Sequence, residues 1–409
     1  MPSTWIETVH LIRHEKSWTL ARLAEVAGCS LSVFQNRLKN EVPPAMKVTI
    51  EEVLDFTYDF NSKHLLQLEL EHYLIMFLYG DYEAAYEKTT ELLERRLEYQ
   101  NSSLYLDYWV HLYACTMHTK DERIDAVHIQ QKLQSLLPLK DAFLHELYEV
   151  ESITYAYLMS HKAAMLALPE GHYDTRQDAR LKALNMYIVG AYYSQRYTRL
   201  YQGIELLKQA LLLFETQANY VRSNQTKVVL QEAYLWAKDF EAYRMLYQQS
   251  IQYIQLTQNR RLEQIMNETV IQFQLTQGEY KDALSIALPH VERHYQNVFV
   301  ILFCAVMTDS ESLHQATVGR IDKTTLSIMH PYYTVAFDWF KSYAFTPHVY
   351  SKESLRVLKR LWELALDEEY YYLIAISARW LIQFYTQLRR YKDAQSIAHQ
   401  WQRVEATIV

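Results

Sequence analysis

"QGEYKDALSI" (277–286) has three counterparts in the chain: "YGDYEAAYEK" (79–88), "AKDFEAYRML" (237–246) and "LRRYKDAQSI" (388–397). In each, two polar or small residues precede an aromatic (Tyr82, Phe240, Tyr280 or Tyr391), and the pattern predicts that an amphipathic helix follows. The aromatics at 240 and 280 are 40 residues apart, and 280 to 391 spans 111, three steps of 37. Such periods belong to helical-pair repeats, which bury a continuous core only by stacking on one another. Composition agrees. The 409 residues include only 7 Gly and 8 Pro, too few for the tight turns that strands and hairpins need, so the chain is expected to be all-α. Half the residues are apolar, enough for a large core, and 34 tyrosines suit wide gaps between helices with a hydroxyl at the polar rim.

The front of the chain reads differently. In "LARLAEVAGCSLSVFQNRLKNE" (20–41), Thr19 can cap a helix over Leu20 to Ala27, and Gly28 can end it in the left-handed conformation. Ser30 is then an N-cap for a second helix over Leu31 to Asn40. Leu20, Leu23 and Val26 are available for packing, with Phe34 and Leu38 inward. Ala24 four residues before Gly28, and Phe34 six after it, is the spacing of a helix-turn-helix. The small alanine lets the two helices cross closely. On the second helix Ser32, Gln35, Asn36 and Lys39 lie on or near the exposed face. Amide side chains can pair with adenine in the major groove, and Arg37 or Lys39 can reach phosphate. An ordinary helical hairpin is the alternative reading. Residues 1–50 hold six Lys/Arg and four Asp/Glu, a balance of +2 against −7 overall, which leaves −9 for the rest. That distribution permits local contact with DNA and argues against a protein that coats nucleic acid. Pro43 and Pro44 mark a boundary, and Thr49 with Glu52 forms a capping box that predicts a new helix near residue 50; Thr4 with Glu7 predicts the first helix.

The expected organisation is a helix-turn-helix head over 1–45, a superhelical repeat array over 46–385 and a C-terminal helix over 386–409. In that last helix Ile397, Trp401, Val404 and Ile408 form a coiled-coil-like seam, open to two readings: packing on the preceding helix or a dimerisation surface. "DEEYYY" (367–372) reads as a helix start with acidic residues suited to the dipole. Cys29, Cys115 and Cys304 are isolated, so neither a disulfide framework nor a zinc site is expected. His290 and His294 share a helix face, but Val291 stands where a zinc protease needs glutamate. No phosphate loop or nucleophile elbow occurs, so no metal, cofactor or enzymatic activity is expected. The N-terminus has no signal-peptide core and the longest apolar run, "VFVILFCAVM" (298–307), is half a membrane span; a cytoplasmic protein is expected.

The quoted breaks resemble the turn within a tetratricopeptide repeat, over about residues 50 to 400. A helix-turn-helix head on such an array is similar to the RRNPP family of peptide-sensing regulators, and most of all to its phage arbitrium receptors. "AEVAG" (24–28), "QEAYLWAKDFEAY" (231–243) and "RRLEQ" (260–264) carry that likeness. The resemblance implies a homodimer that binds promoter DNA through its heads and is switched by a short communication peptide held in the array, in control of lysis against lysogeny. It also implies, as the alternative, a Rap-like regulator whose N-terminal bundle binds a protein. DNA contacts then fall to Ser30, Ser32, Gln35, Asn36, Arg37 and Lys39. A peptide backbone needs amides and its carboxylate a cation, which selects Asn185, Arg222, Asn224, Arg260, Arg261 and Asn267. Arg261 matches the arginine of the family's basic-Arg-Leu opening. Where arbitrium receptors place a peptide-contacting asparagine, this chain has Glu232, a departure that suits a peptide with a basic residue.

Overall fold

The structure, a computed structural model, describes residues 5–58, 64–119, 124–158, 161–290, 295–320, 331–343 and 352–408. The aromatics of the four repeated breaks are each the first residue of a helix: Tyr82–Glu94, Phe240–Thr257, Tyr280–Ala287 and Tyr391–Ile408. Two residues before each aromatic, Gly80, Lys238, Gly278 and Arg389 take left-handed backbone, with φ of 81°, 58°, 83° and 55°. The intervening residue donates its N–H to the carbonyl five positions back: Asp81 to Met76 (2.9 Å), Asp239 to Tyr234 (2.9 Å), Glu279 to Gln274 (2.9 Å) and Arg390 to Tyr385 (2.8 Å). This is the Schellman closure, which satisfies the last carbonyls of one helix while the next helix starts at once. Asp81 and Asp239 then cap, their carboxylates accepting from the Ala84 and Ala242 N–H at 3.2 and 3.1 Å.

The chain forms two compact units, one of residues 1–185 and 216–222, the other of 186–215 and 223–409. In the first, Trp5–Glu15, Leu20–Val26, Leu31–Lys39 and Pro44–Leu54 share a core of Val9, Leu11, Ile12, Leu23, Ala24, Phe34, Ile50 and Leu54. The helix expected to start near 50 starts at Pro44 instead. Proline at the first helical position lacks only an N–H that has no intrahelical partner there. Thr49 is therefore interior, and its hydroxyl bonds back to the Ala45 carbonyl at 3.1 Å. The cap expected at Thr4 lies outside the described residues.

No break in packing separates residues 1–45 from the remainder of this unit. Glu15, at the end of the first helix, accepts from Tyr105 Oη (2.7 Å), is bridged by Arg96, and has Lys132 Nζ at 3.6 Å. Trp109 stacks beneath both cations, with Lys132 Nζ 4.3 Å and Arg96 Cζ 5.4 Å from its ring. Trp5 Nε1 donates to Glu51 at 2.7 Å. Further on, His64–Leu78, Tyr105–Thr119 and Ala142–Leu158 are the long helices of this unit.

In the second unit Gly190 and Gly203 let Leu200–Thr216 cross the preceding helix closely; a Cβ on Gly203 would lie 2.3 Å from the Ser194 nitrogen. Here too the structure departs from an array in which each pair touches only its neighbours. Tyr371–Gln387 reaches back across several repeats: the Tyr371 N–H donates to Gln195 O (3.1 Å), its ring meets Trp236 at 5.2 Å, and Arg379 donates to Thr276 O (2.6 Å). "DEEYYY" holds a helix start at Tyr371, but its acidic residues do not serve that helix's dipole: Glu368 closes Lys352–Glu368 and Glu369 is left-handed at φ 57°.

The C-terminal seam lies inward. Ile397, Val404 and Ile408 are buried in the core of the same unit, while Trp401 packs at its edge with Arg379 Cζ 5.1 Å from its ring. These residues are engaged inside one chain, as the packing reading has it. The chain does not break at 385 either, because this helix completes the core to which Tyr371–Gln387 belongs.

Candidate functional site

The corner over residues 20–39 folds to within one residue of expectation, with helices Leu20–Val26 and Leu31–Lys39. Thr19 accepts from the Arg22 N–H (3.1 Å) and Ser30 from the Val33 N–H (3.4 Å). Gly28 is left-handed at φ 66°, and Cys29 donates to the Ala24 carbonyl five back at 3.0 Å. The closure is the one used in the repeats, but the spacing is not. Between the left-handed residue and the next helix stand Cys29 and Ser30, one residue more than in the four repeat turns. Ala24 and Phe34 are buried at the crossing as their spacing requires, whereas Val26 turns outward.

Ser30, Ser32, Gln35, Asn36 and Lys39 are exposed and Arg37 is half-buried. Asn40 donates to the Asn36 side-chain oxygen at 2.9 Å, which fixes that amide and turns its donor end outward. Arg22 lies over Trp18 (3.9 Å), and Lys47 is exposed nearby in sequence. Exposed Val26, Leu31 and Val33 flank the polar face.

The residues expected to hold a peptide are divided between the two units. Asn185 and Arg222 belong to the first unit, the others to the second. Arg222 is a correction. It is buried, donates to the carbonyls of Leu78 (3.1 Å) and Phe77 (2.7 Å), and bonds Tyr82 Oη, so it ties two helices together and does not offer a cation to a ligand. Asn185 is wholly enclosed, with His172 Nε2 against its carbonyl oxygen at 3.3 Å and its amide nitrogen without a partner among the described residues. It is not an open-surface contact either. Asn224 is buried as well.

Within the second unit a coherent polar face exists. On Arg260–Gln277 the residues Arg261, Gln264, Glu268 and Gln272 follow at spacings of three, four and four, which puts them on one stripe. Gln264 donates to Glu268 at 2.9 Å. Arg260 and Asn267, seven apart, form the adjacent stripe; Arg260 is exposed and Asn267 half-buried. Glu268, Gln272, Gln296 and Asn297 line a narrow cleft walled by Phe299, Tyr333 and Tyr372. Gln272 Oε1 is buried there with no hydrogen-bond partner among the described residues.

Glu232, two helices earlier on Tyr220–Trp236, joins this face electrostatically. Burial pushes its carboxyl up to about 7 and the Glu268 charge adds to that, while Trp236 Nε1, 3.4 Å away, works the other way. A partly protonated acid and the unpartnered Gln272 oxygen favour a donor or cation lying over them. Gln272, Glu268 and Asn297 are absent from the sequence expectation; the three-and-four spacing of amides from Arg261 was the readable signal.

No described group of histidines, cysteines and carboxylates could hold a metal ion, and His294 lies outside the described residues. Burial pushes the Cys304 thiol up to about 12, which makes it unreactive.

No protein-family profile matches the sequence, and no curated protein does. One solved structure is similar, a Rap protein complexed with competence and sporulation factor. It superposes with a TM-score of 0.65 at 14% identity, over 85% of this chain and 99% of the Rap chain. The fold is therefore the all-helical repeat solenoid of Rap proteins. No helix among the described residues is long and apolar enough to cross a membrane.

Proposed function

We propose that the chain is a peptide-responsive transcriptional regulator of the arbitrium type, a receptor that binds promoter DNA through the Leu31–Lys39 helix and a short signalling peptide through its repeats. The observation that carries the reading is the glycine-cornered hairpin, one residue longer than the repeat turns, which presents Ser32, Gln35, Asn36 and Lys39 outward at the front of a helical-repeat body. The Rap neighbour was solved with a signalling peptide, which supports a peptide as the ligand class. Glu232, Arg261, Glu268 and Gln272 are the residues best placed to meet a peptide with a basic side chain. One head with few cations binds weakly, so two heads on a homodimer are required, formed through a surface other than the Ile397–Ile408 seam.

Purified protein should shift DNA from beside its own gene, and a synthetic peptide from a neighbouring small reading frame should reverse the shift. Failure to bind any DNA from that locus overturns the proposal.

A second reading is favoured by two observations: the exposed Val26, Leu31 and Val33, and the firm attachment of the first helix through Glu15. Under it the head is a protein-binding surface, as in a Rap-like regulator. Gln35→Ala with Asn36→Ala discriminates: loss of DNA binding with an unchanged melting temperature supports the first reading, while a Val33→Glu change that abolishes a protein complex supports the second.

A further inference from the structure

Arg13, near the end of the first helix, is held without a carboxylate among the described residues. Its Nε donates to His10 Nδ1 at 3.3 Å, one of its terminal nitrogens lies 3.1 Å from His14 Nε2, and the other donates to the Trp18 carbonyl at 3.2 Å. A guanidinium has donors only and keeps its charge, so each ring nitrogen facing it must carry a lone pair. His10 is therefore protonated on Nε2 alone and His14 on Nδ1 alone, and both rings are neutral.

What this arrangement holds is the turn in front of the head's second helix. The Trp18 N–H donates to the Arg13 carbonyl at 2.8 Å, its carbonyl accepts from the Arg13 guanidinium, and Arg22 of Leu20–Val26 stacks on its ring at 3.9 Å. Ser17 turns the chain there with φ 56°, and Thr19, the next residue after Trp18, caps Leu20–Val26. Arg13 thus fixes the point from which that helix starts.

A proton on His10 Nδ1 or His14 Nε2 would set N–H against N–H and bring a second positive charge to Arg13. The helices packed against Trp5–Glu15 carry Lys47, Glu51 and Glu52 (Pro44–Leu54), Asp107 and His111 (Tyr105–Thr119), and His128 and Lys132 (Ala126–Gln134). Of these, Lys132 acts on His14 and opposes its protonation as Arg13 does. Glu51 is bonded to Trp5, Lys16 to the Leu54 carbonyl, and Glu15 to Arg96 and Tyr105. Burial, and then Arg13, push His10 down to about 4 and His14 below the usual imidazole range.

We propose that His10, Arg13 and His14 form an acid-sensitive clamp on the Trp18 turn, closed while both imidazoles are neutral and released when either takes a proton. The clamp works whatever the head binds, so it goes beyond the regulator reading without resting on it. For a ring that is neutral when closed and ordinary when open, each pH unit below 6.5 favours the open turn about tenfold, or about thirtyfold at pH 5.

The test is amide exchange of the full chain at pH 8, 6.5 and 5, each rate divided by that of the unstructured peptide at the same pH. The reporters are the Ser17, Trp18 and Leu23 amides, which bond to the His14, Arg13 and Thr19 carbonyls. Their protection should fall tenfold or more from pH 8 to pH 5, while protection in Tyr371–Gln387 holds. In a His10→Asn, His14→Gln double variant the side-chain oxygens can replace Nδ1 and Nε2 as acceptors but take no proton, so the fall should vanish. Arg13→Met should lower protection at pH 8 and remove its pH dependence, which keeps the test decisive where the double variant does not fold. Wild-type protection that ignores pH, or falls equally in Tyr371–Gln387, overturns the proposal. So does a double variant, or an Arg13→Met variant, that loses protection towards pH 5 as the wild type does. DNA binding is not the readout, so failure of the regulator reading leaves this result intact.

Discussion

Replacing Glu232 by glutamine should make the protein more stable at pH 8 and leave it unchanged at pH 4. Burial raises the folded carboxyl from 4.5 to about 7, so the folded state holds this proton more tightly than the unfolded chain does. Below 4.5 both states are protonated and the group is neutral to folding. Between 4.5 and 7 the unfolded chain releases the proton first, and stability falls as pH rises. Above 7 the full penalty stands, about 3 kcal/mol at 1.4 kcal/mol per pKa unit. Glutamine keeps the shape and an oxygen for Trp236 Nε1, yet it never ionises. Other groups titrate in the same interval: Asp107 is raised to about 7 with the same sign, and His10 and His111, lowered to about 4, destabilise the fold as pH falls from 6.5. They are common to both proteins, so the difference between two urea-denaturation series isolates Glu232 even where the two units unfold in separate steps. A gap that opens from pH 5 to 7 and is largest at pH 8 is expected. A variant that tracks the wild type at pH 8, or is less stable there, refutes the reasoning. The same change should weaken a peptide with a basic residue, because the interaction that would return Glu232 to its ionised form is gone.

Gly203→Ala should lower stability by about 3 kcal/mol or more, because the new Cβ meets backbone at Ser194 and Gly190 that cannot rotate away; thermal melting checks it. Arg389→Gly should raise stability by about 0.5–1 kcal/mol, since an exposed arginine at φ 55° carries a left-handed cost that glycine lacks; a variant no more stable than wild type argues against that turn geometry. Val404→Asp should lower the melting temperature by burying a charge, at a cost of about 3 kcal/mol, without changing the oligomeric state measured by light scattering. Dissociation into folded monomers would instead restore the seam as a dimer interface.

What could be read from the sequence was local. Tyr82, Phe240, Tyr280 and Tyr391 mark helix starts because the Schellman closure fixes residue types within six positions, and Thr19, Gly28 and Ser30 mark theirs for the same reason. The misses come from contacts distant in the chain. Nothing near Arg222 says that its guanidinium will find carbonyls at 77 and 78, about 145 positions away in sequence. Nothing near Trp401 says that Tyr371–Gln387 crosses back to Gln195 and Thr276 and leaves the last helix in a core. A heptad-like seam is the same pattern whether its partner is the previous helix or a second chain. The capping box at Thr49 failed for a related reason, since Pro44 starts the helix one and a half turns earlier and leaves the later signal without a terminus to cap.

The attachment of the head sharpens what a switch could be. The sequence suggested a boundary at Pro43–Pro44, but Pro44–Leu54 packs into the head's core and Lys16 bonds the Leu54 carbonyl. The Glu15 side chain is 8% exposed and sits among Arg96, Lys132 and Tyr105, so freeing the head would break all three contacts and leave Lys132, 7% exposed, without its carboxylate. A peptide that moved the head alone would have to supply that free energy as differential affinity for the freed state. Under the proposed function the Leu31–Lys39 helix therefore travels with the rest of the first unit, and a ligand acts by moving that unit as a body. Glu15→Gln tests this. If it loosens the head, amide exchange across Leu31–Lys39 should rise while exchange in Tyr371–Gln387 stays fixed, and peptide control of DNA binding should weaken. Unchanged control with a loosened head would mean that the attachment plays no part in the switch.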